Sequence, residues 1–197
     1  MRVLVACEFS GVVRDAFLAL GHDAYSCDLL QSESNKFRRH FQCDVRQVLE
    51  LREWDLMIAH PPCTYLANSG AKHLYAGMKK ANGLNRPRWD QMEAAIGFFM
   101  ALQSAPIPRI AIENPIMHGY ASTQLGKPDQ IVQPWMFGHG ETKATCFWLK
   151  GLPRLLPTNI VDGRKARVHR QPPSQNRWKE RSRTLPGIAA AMAQQWA

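Results

Sequence analysis

The chain has 197 residues, with 25 Lys and Arg against 16 Asp and Glu, which gives a formal net charge of +9. This length suffices for one sizeable hydrophobic core rather than two, so we predict a single domain over residues 1–197. The basic excess favours a polyanionic partner such as nucleic acid over a neutral metabolite or an acidic surface.

The cysteines argue against a disulfide scaffold. They lie far apart, with no CxxC pair and no His/Cys cluster at metal-ligand spacing: Cys7, Cys27, Cys43, Cys63 and Cys146. We therefore expect no structural metal. The first apolar run, at residues 2–7, has no signal peptide before it, and no run approaches the roughly 20 residues that span a bilayer. We expect a cytoplasmic protein without membrane association.

Short apolar runs alternate with helical patterns, which is typical of parallel strands joined by right-handed crossovers. The predicted strands are 2–7, 23–27, 40–43, 54–59, 109–113 and 145–149. The predicted helices are 12–20, 45–51, 89–104 and 186–197. Gly21 is placed to end the first helix. The order of these elements predicts an α/β fold with a mixed, mostly parallel sheet and helices on both faces.

Two segments do not fit this alternation. Between Pro61 and Arg88 the chain has three glycines and five basic residues without a long apolar period, which is typical of a lid or binding loop. The basic segment 150–185 precedes the C-terminal helix, and within it residues 164–183 hold eight basic residues and one acid. These residues supply +7 of the +9 net charge. The segment is either a footprint for a polyanion or a solubilising tail.

Ligands of open α/β sheets bind beyond the carboxyl ends of the strands, so the residues just after each strand are informative. Phe9, Ser10 and Gly11 follow the first strand, and a glycine in such a turn lets a cofactor approach the backbone. Asp28 follows the second strand, where an acid can bind ribose hydroxyls, and Asp44 follows the third. Either aspartate could instead be a helix N-cap.

A sharper pattern follows the next two strands. Two prolines fix an extended segment that presents the thiol of Cys63 in a defined direction. Glu113 leaves an apolar strand and is followed by Asn114, although acids are rare in such positions. The alternatives are a small buried hydrophobic role for the cysteine, as we expect for the other four, and an N-cap or turn role for the glutamate.

These patterns together resemble the DNA cytosine-C5 methyltransferases. The resemblance rests on Phe9-x-Gly11, on Pro61-Pro62-Cys63 with the following residues to Gly70, on Glu113-Asn114, and on residues 143–148. It covers roughly residues 1–150 in order. It is closest to small forms of the family, found in phages and prophages, that lack a large target-recognition domain.

The resemblance implies a Rossmann-like fold with S-adenosylmethionine as cofactor and DNA as partner. Cys63 would be the nucleophile that adds to C6 of the pyrimidine, and Glu113 the acid at its N3 edge. The cofactor would be bound by Phe9, Ser10, Gly11, Asp28, Asp44 and Pro61, with Asp44 toward its adenine edge. Substrate contacts would come from Pro62, Asn114, Lys143, Thr145, Arg177, Lys179, Arg181 and Arg183.

The chain departs from the family pattern in three places. Val13 stands where a second glycine is usual, and Thr142-Lys143-Ala144-Thr145 replaces a Gln-x-Arg-x-Arg element, which Arg181-Ser182-Arg183 could substitute. The segment 150–185 occupies the interval of the target-recognition domain, so a partner subunit or a homodimer could supply recognition. The alternative functions are a pyrimidine methyltransferase acting on RNA, single-stranded DNA or a nucleotide, and a catalytically silent regulator that binds DNA or a partner methyltransferase.

Overall fold

The computed structural model describes the backbone of residues 1–197 and the side chains of residues 1–168 and 170–197. The strands are β1 (Arg2–Ala6), β2 (Asp23–Asp28), β3 (His40–Gln42), β4 (Leu56–Ala59), β5 (Ile110–Asn114), β6 (Gln130–Val132) and β7 (Thr145–Lys150). The α-helices are α1 (Val12–Ala19), α2 (Arg86–Gln103), α3 (Gly119–Leu125), α4 (Arg167–Arg170), α5 (Arg177–Ser182) and α6 (Pro186–Gln195).

The strands form one sheet in the order β3-β2-β1-β4-β5-β7-β6. The first five are parallel to one another, whereas β7 is antiparallel to both β5 and β6. Because these five strands are parallel, the carboxyl ends of β1 to β5 lie at one edge of the sheet. The predicted mixed, mostly parallel sheet is therefore confirmed.

Each face of the sheet carries its own hydrophobic core. Alternate residues of β1 show this, because successive side chains of a strand point to opposite faces. Val3 and Val5 pack with the apolar sides of α1 and α6, whereas Leu4 and Ala6 pack in the core that includes α2. Helices thus cover both faces, as predicted, and the cores fix the strand ends that carry the candidate site.

Most predicted elements are confirmed to within three residues, and the predicted helix at 45–51 is wrong. The chain there makes a single 3-10 turn, Val45–Gln47, which the Asp44 side chain caps by accepting a hydrogen bond from the Arg46 N–H. Val45 and Val48 are buried one turn apart. One turn therefore suffices to bury the apolar residues that suggested a helix.

Four elements lie where no regular structure was predicted. Helix α3 and strand β6 follow β5, and α4 and α5 lie inside the basic segment 150–185. The segment between Pro61 and Arg88 contains only short 3-10 turns before α2. It is held at both ends, because the Arg88 guanidinium donates to the Thr64 carbonyl and stacks 4.2 Å from the centre of the Tyr65 ring.

Within the described part of the chain, no helix is both long enough and apolar enough to cross a membrane. The described side chains also include no group of three or more His, Cys, Asp and Glu residues arranged to hold a metal ion.

Candidate active site

Cys63 is presented at the carboxyl end of β4 by His60-Pro61-Pro62. It is exposed, and its carbonyl accepts hydrogen bonds from the Leu66 and Ala67 N–H groups, which turn the chain away from the strand. Protein atoms packed around the thiol raise its pKa, the Glu113 carboxylate raises it further, and the charges of Lys143 and Arg181 oppose both effects. Cys63 is therefore an exposed residue, and the balance of these effects leaves the pKa of its thiol above the ordinary value.

The ends of β4 and β5 are tied together directly. The strands pair in parallel, with Ala59 opposite Ile112. Beyond this pair, the buried Asn114 side chain donates a 2.9 Å hydrogen bond to the Pro61 carbonyl. The structure thus brings together Glu113 and Cys63, which are fifty positions apart in the sequence.

Glu113 is an almost fully covered carboxylate, with 14% of its side chain exposed. The His60 Nδ1 atom lies 3.0 Å from its Oε2. Burial acts to raise the pKa of the carboxyl, but the hydrogen bond from His60 and the charge of Lys143 outweigh it, so the pKa lies below its ordinary value. Glu113 is therefore a carboxylate at neutral pH.

Lys143 and Thr145 line the same small pocket as Glu113, together with residues at the start of α6. Thr145 is buried and donates to the Lys143 carbonyl at 3.2 Å. The Lys143 ammonium group donates to the backbone carbonyls of Arg181 and Arg183, at 3.0 and 3.4 Å. Lys143 therefore joins the pocket to the basic segment.

The turn after β1 is organised by Glu8, for which the sequence suggested no role. Its buried carboxylate accepts hydrogen bonds from the N–H groups of Val13 at 2.7 Å and Arg14 at 3.2 Å. Burial raises the pKa of this carboxyl, while His60 and the two backbone bonds oppose the shift. Because Glu8 occupies the start of α1, that helix end does not offer the free N–H groups with which a dinucleotide phosphate is usually bound.

Gly11 is required in this turn for its own geometry. Its φ is +76°, and a Cβ there would lie 2.5 Å from the buried Arg14 guanidinium. Val13, which stands where the family has a glycine, is fully buried in the core beneath α1. Ser10 precedes Gly11, and its hydroxyl donates to Glu8 at 3.3 Å.

Phe9 is covered by helix α5. The centre of its ring lies 6.0 Å from that of Trp178, at an angle of 56°, and the Lys179 ammonium lies 5.9 Å from the Phe9 ring. Only 7% of Phe9 is exposed, whereas Trp178 is 54% exposed. The basic segment therefore lies over the place where the sequence predicts the cofactor.

The two predicted ribose or adenine ligands differ in their surroundings. Asp28 is half-buried beside the end of β1, and one of its oxygens accepts a hydrogen bond from the Leu30 N–H. Both Asp44 oxygens are engaged by the Arg46 guanidinium. Asp44 thus has the N-cap role that was the alternative for it, whereas Asp28 bonds to backbone N–H groups just after it and to no described side chain.

The remaining predicted substrate residues lie on or beside α5. Arg177 donates to the Gln171 carbonyl at 2.8 Å, and Arg183 pairs with Glu33 at 2.6 Å. Pro62 is exposed next to Cys63. The roles of Glu8, His60 and Trp178 were missed. Glu8 and His60 lie within two residues of the end of a buried strand, and a polar residue in such a position is the signal that could have revealed them.

The strand order, with an antiparallel β7 between β5 and β6, defines the Rossmann-like fold of S-adenosylmethionine-dependent methyltransferases. A DNA modification methyltransferase encoded within a prophage of E. coli superimposes with a TM-score of 0.51 at 16% identity, covering 82% of this chain and 52% of that chain. The Entamoeba histolytica methyltransferase EhMeth gives a TM-score of 0.50 at 17% identity, over 82% and 57% of the two chains. This chain thus spans about half the length of these structures.

No protein-family model matches the chain, and no curated protein matches it.

Proposed function

We propose that the protein is an S-adenosylmethionine-dependent methyltransferase that modifies C5 of cytosine in DNA through a covalent adduct with Cys63. The observation that carries this proposal is the convergence of an exposed cysteine and a covered carboxylate at neighbouring strand ends, joined by the hydrogen bond from Asn114 to Pro61. The two neighbours with similar folds, both described as methyltransferases, support it.

The two residues have complementary roles in the proposed reaction. The Cys63 thiolate adds to C6, a carbon–sulfur bond forms, and the C5–C6 π electrons move into the ring toward N3. The Glu113 carboxylate accepts a hydrogen bond from the exocyclic amino group, and as the thiolate adds it takes up a proton from solvent and passes it to N3, so that no full negative charge builds up on the ring. C5 then takes the methyl group, loses its proton to a base, and the carbon–sulfur bond breaks as the C5–C6 double bond returns.

The cofactor would supply the methyl group, and the residues at the ends of β1 and β2 have the chemistry needed to bind the cofactor. The N–H groups of Val13 and Arg14 at the start of α1 are already bonded to Glu8, which suits a ligand without phosphates. Asp28 is placed to accept hydrogen bonds from ribose hydroxyls, and Phe9 offers an aromatic face under α5. Ser10, Gly11 and Pro61 would border the same space.

DNA is the favoured substrate, because the net charge of the chain is positive and the prophage protein with a similar fold is described as a DNA modification methyltransferase. A base must leave the duplex to reach a thiol at a strand end. The basic segment is the only substantial stretch in the interval where the family has its recognition domain, so site specificity would be low or would depend on a partner subunit or a second copy.

Trapping of the adduct tests the proposal. An oligonucleotide with 5-fluorocytosine should form a covalent complex with the protein and cofactor, because the C5 fluorine cannot leave as a proton would. Mass spectrometry should map the adduct to Cys63. Duplex DNA, single-stranded DNA, tRNA and dCMP, each offered with labelled cofactor, should rank duplex DNA first; a different ranking would reassign the substrate, and no transfer to any of them would reject the proposal.

Two variants serve as controls. Cys63→Ser should abolish both adduct and turnover while keeping the fold. Glu113→Gln should slow turnover by about 10²–10⁴-fold, the usual range for loss of a general acid, with cofactor binding largely unchanged. An adduct at Cys7, Cys27, Cys43 or Cys146 would contradict the assignment of Cys63.

A further inference from the structure

His60 is fixed at the first position after β4 by its backbone. Its N–H donates to the Ala6 carbonyl at 2.9 Å, which extends the pairing of β4 with β1. Only 9% of its side chain is exposed. The imidazole is therefore held between the ends of β1 and β5, with little freedom to change its orientation.

The hydrogen bond between His60 and Glu113 fixes the tautomer of the ring. A carboxylate can only accept, so Nδ1 carries the hydrogen and donates it to Oε2 over 3.0 Å. The other ring nitrogen, Nε2, is buried and has no hydrogen-bond partner among the described residues. A buried nitrogen without a partner costs free energy, and such a cost is often retained at functional sites.

Oε1 of Glu113 makes no hydrogen bond within the described part of the chain, and Glu113 lines the pocket that contains Lys143 and Thr145. One carboxylate oxygen is thus held by the protein, and the other is left for a ligand. A carboxylate with one fixed and one available oxygen suits a pyrimidine base, because the amino group and N3 of the pyrimidine must be hydrogen-bonded at one defined position.

We propose that His60 is the positioning residue of Glu113: its Nδ1–H holds Oε2, stabilises the negative charge and leaves Oε1 to meet the pyrimidine edge beside Cys63. This inference rests on the proposed function. The charged and titratable groups around the pair come from every adjacent strand end: Glu8 after β1, Asp28 on β2, Cys63 after β4, and Lys143 and Cys146 beside or on β7.

Direct titration of Glu113 tests the inference without any substrate. In protein labelled with 13C at the glutamate carboxyl carbons, the Glu113 signal can be assigned by its absence from Glu113→Gln. In the parent its pKa should lie below the ordinary value of about 4.3. In His60→Leu, burial is no longer opposed by the donor, so the pKa should rise by on the order of one unit or more.

Two conservative variants separate positioning from packing. His60→Asn places an amide N–H near the position of Nδ1 and should restore the low pKa, whereas His60→Gln places it near Nε2 and should not. If His60→Leu fails to fold, the comparison of the Glu113 pKa between His60→Asn and His60→Gln is sufficient to test the inference. His40→Asn is a matched control, because His40 is bonded to Ser26 and the Leu30 carbonyl rather than to Glu113.

The acid limb of the pH profile of kcat/KM should move upward together with the Glu113 pKa in His60→Leu. An unchanged Glu113 pKa in folded His60→Leu, or equal values in the Asn and Gln variants, would overturn the inference. Absence of adduct and transfer in the parent protein would instead reject the proposed function, so the two failures are distinguishable.

Discussion

At the scale of single residues, Glu8 combines two opposing effects. Its carboxylate satisfies two N–H groups at the start of α1, which is the role of an N-cap and is worth about 1 kcal/mol. Complete burial nevertheless raises its pKa. The folded protein therefore binds the Glu8 proton more tightly than the unfolded chain does.

Glu8→Gln should reveal this as a pH dependence of stability. Between the unfolded pKa of about 4.3 and the raised pKa of the folded state, the native protein holds more protons, so the free energy of unfolding falls as pH rises. The variant lacks this contribution. Urea unfolding at several pH values should show the parent losing stability relative to Glu8→Gln as pH rises through that window. A difference in the free energy of unfolding that stays constant with pH would contradict this prediction.

The aspartates after β2 and β3 should differ in cofactor binding. Asp28→Asn should weaken S-adenosylmethionine binding by about tenfold or more, since a hydrogen bond to a charged group contributes about 1.5–3 kcal/mol. Asp44→Asn is the matched control and should bind almost as the parent does, because Arg46 already engages both Asp44 oxygens. Calorimetry measures both, and equal affinities for Asp28→Asn and the parent would remove Asp28 from the site.

At the scale of elements, α5 lies over the ring that is predicted to face the cofactor. A purine between two parallel rings needs about 7 Å between them, from two contacts of about 3.5 Å. Phe9 and Trp178 are closer than this and tilted. Cofactor binding at Phe9 should therefore move α5.

Tryptophan fluorescence measures this movement. The parent should show a change in emission on adding cofactor, and Trp178→Phe should lose most of it while still binding the cofactor by calorimetry. The chain has five other tryptophans, so the difference between the two proteins isolates Trp178. An identical cofactor-dependent change in both would show that α5 stays in place.

The sequence predicted the elements in which apolar residues form a run or recur with a clear period. It missed the elements whose burial depends on the other elements that pack against them. Strands β1, β4 and β5 lie inside the sheet and contain the apolar runs 3–6, 56–59 and 110–112. Helix α3 contains Ser122, Thr123 and Gln124, and its N-terminus is capped by the His118 ring, so it has little apolar period of its own. Residues 45–51 have a helical period of apolar residues, but a single 3-10 turn is enough to bury those residues.

The candidate site shows the same division. The sequence could single out Cys63 and Glu113 because each lies within a short motif at or just beyond the end of a recognisable strand. The contact of His60 with Glu113 and the cover of Phe9 by Trp178 could not, since each joins residues more than fifty positions apart. Such contacts depend on strand order and on the path of the basic segment, neither of which local patterns specify.

At the scale of the whole molecule, the positive charge is concentrated in the basic segment, whose Arg181 and Arg183 carbonyls contact Lys143 at the pocket. Changing Arg177, Lys179, Arg181 and Arg183 together to alanine should weaken DNA binding and flatten its salt dependence, because each phosphate contact contributes about 0.9 to the slope of log K against log salt. Binding isotherms at several salt concentrations measure this slope.

A charge-matched variant shows whether location matters. It loses four cations that lie outside residues 164–183: Lys36, Arg38, Lys127 and Arg154. This variant should keep most of the slope of log K against log salt that the parent shows for DNA binding. If the two quadruple variants behave alike, the segment acts only through net charge, as a solubilising tail would.

Helix α5 contacts Phe9 through Trp178, and the residues at its end contact Lys143 through their backbone carbonyls. One short stretch of chain thus touches both the predicted cofactor end and the predicted substrate end. When one element participates in two binding events, the affinities are thermodynamically coupled, and the coupling is reciprocal. Titrating cofactor at fixed DNA and DNA at fixed cofactor should therefore return the same coupling factor from both directions.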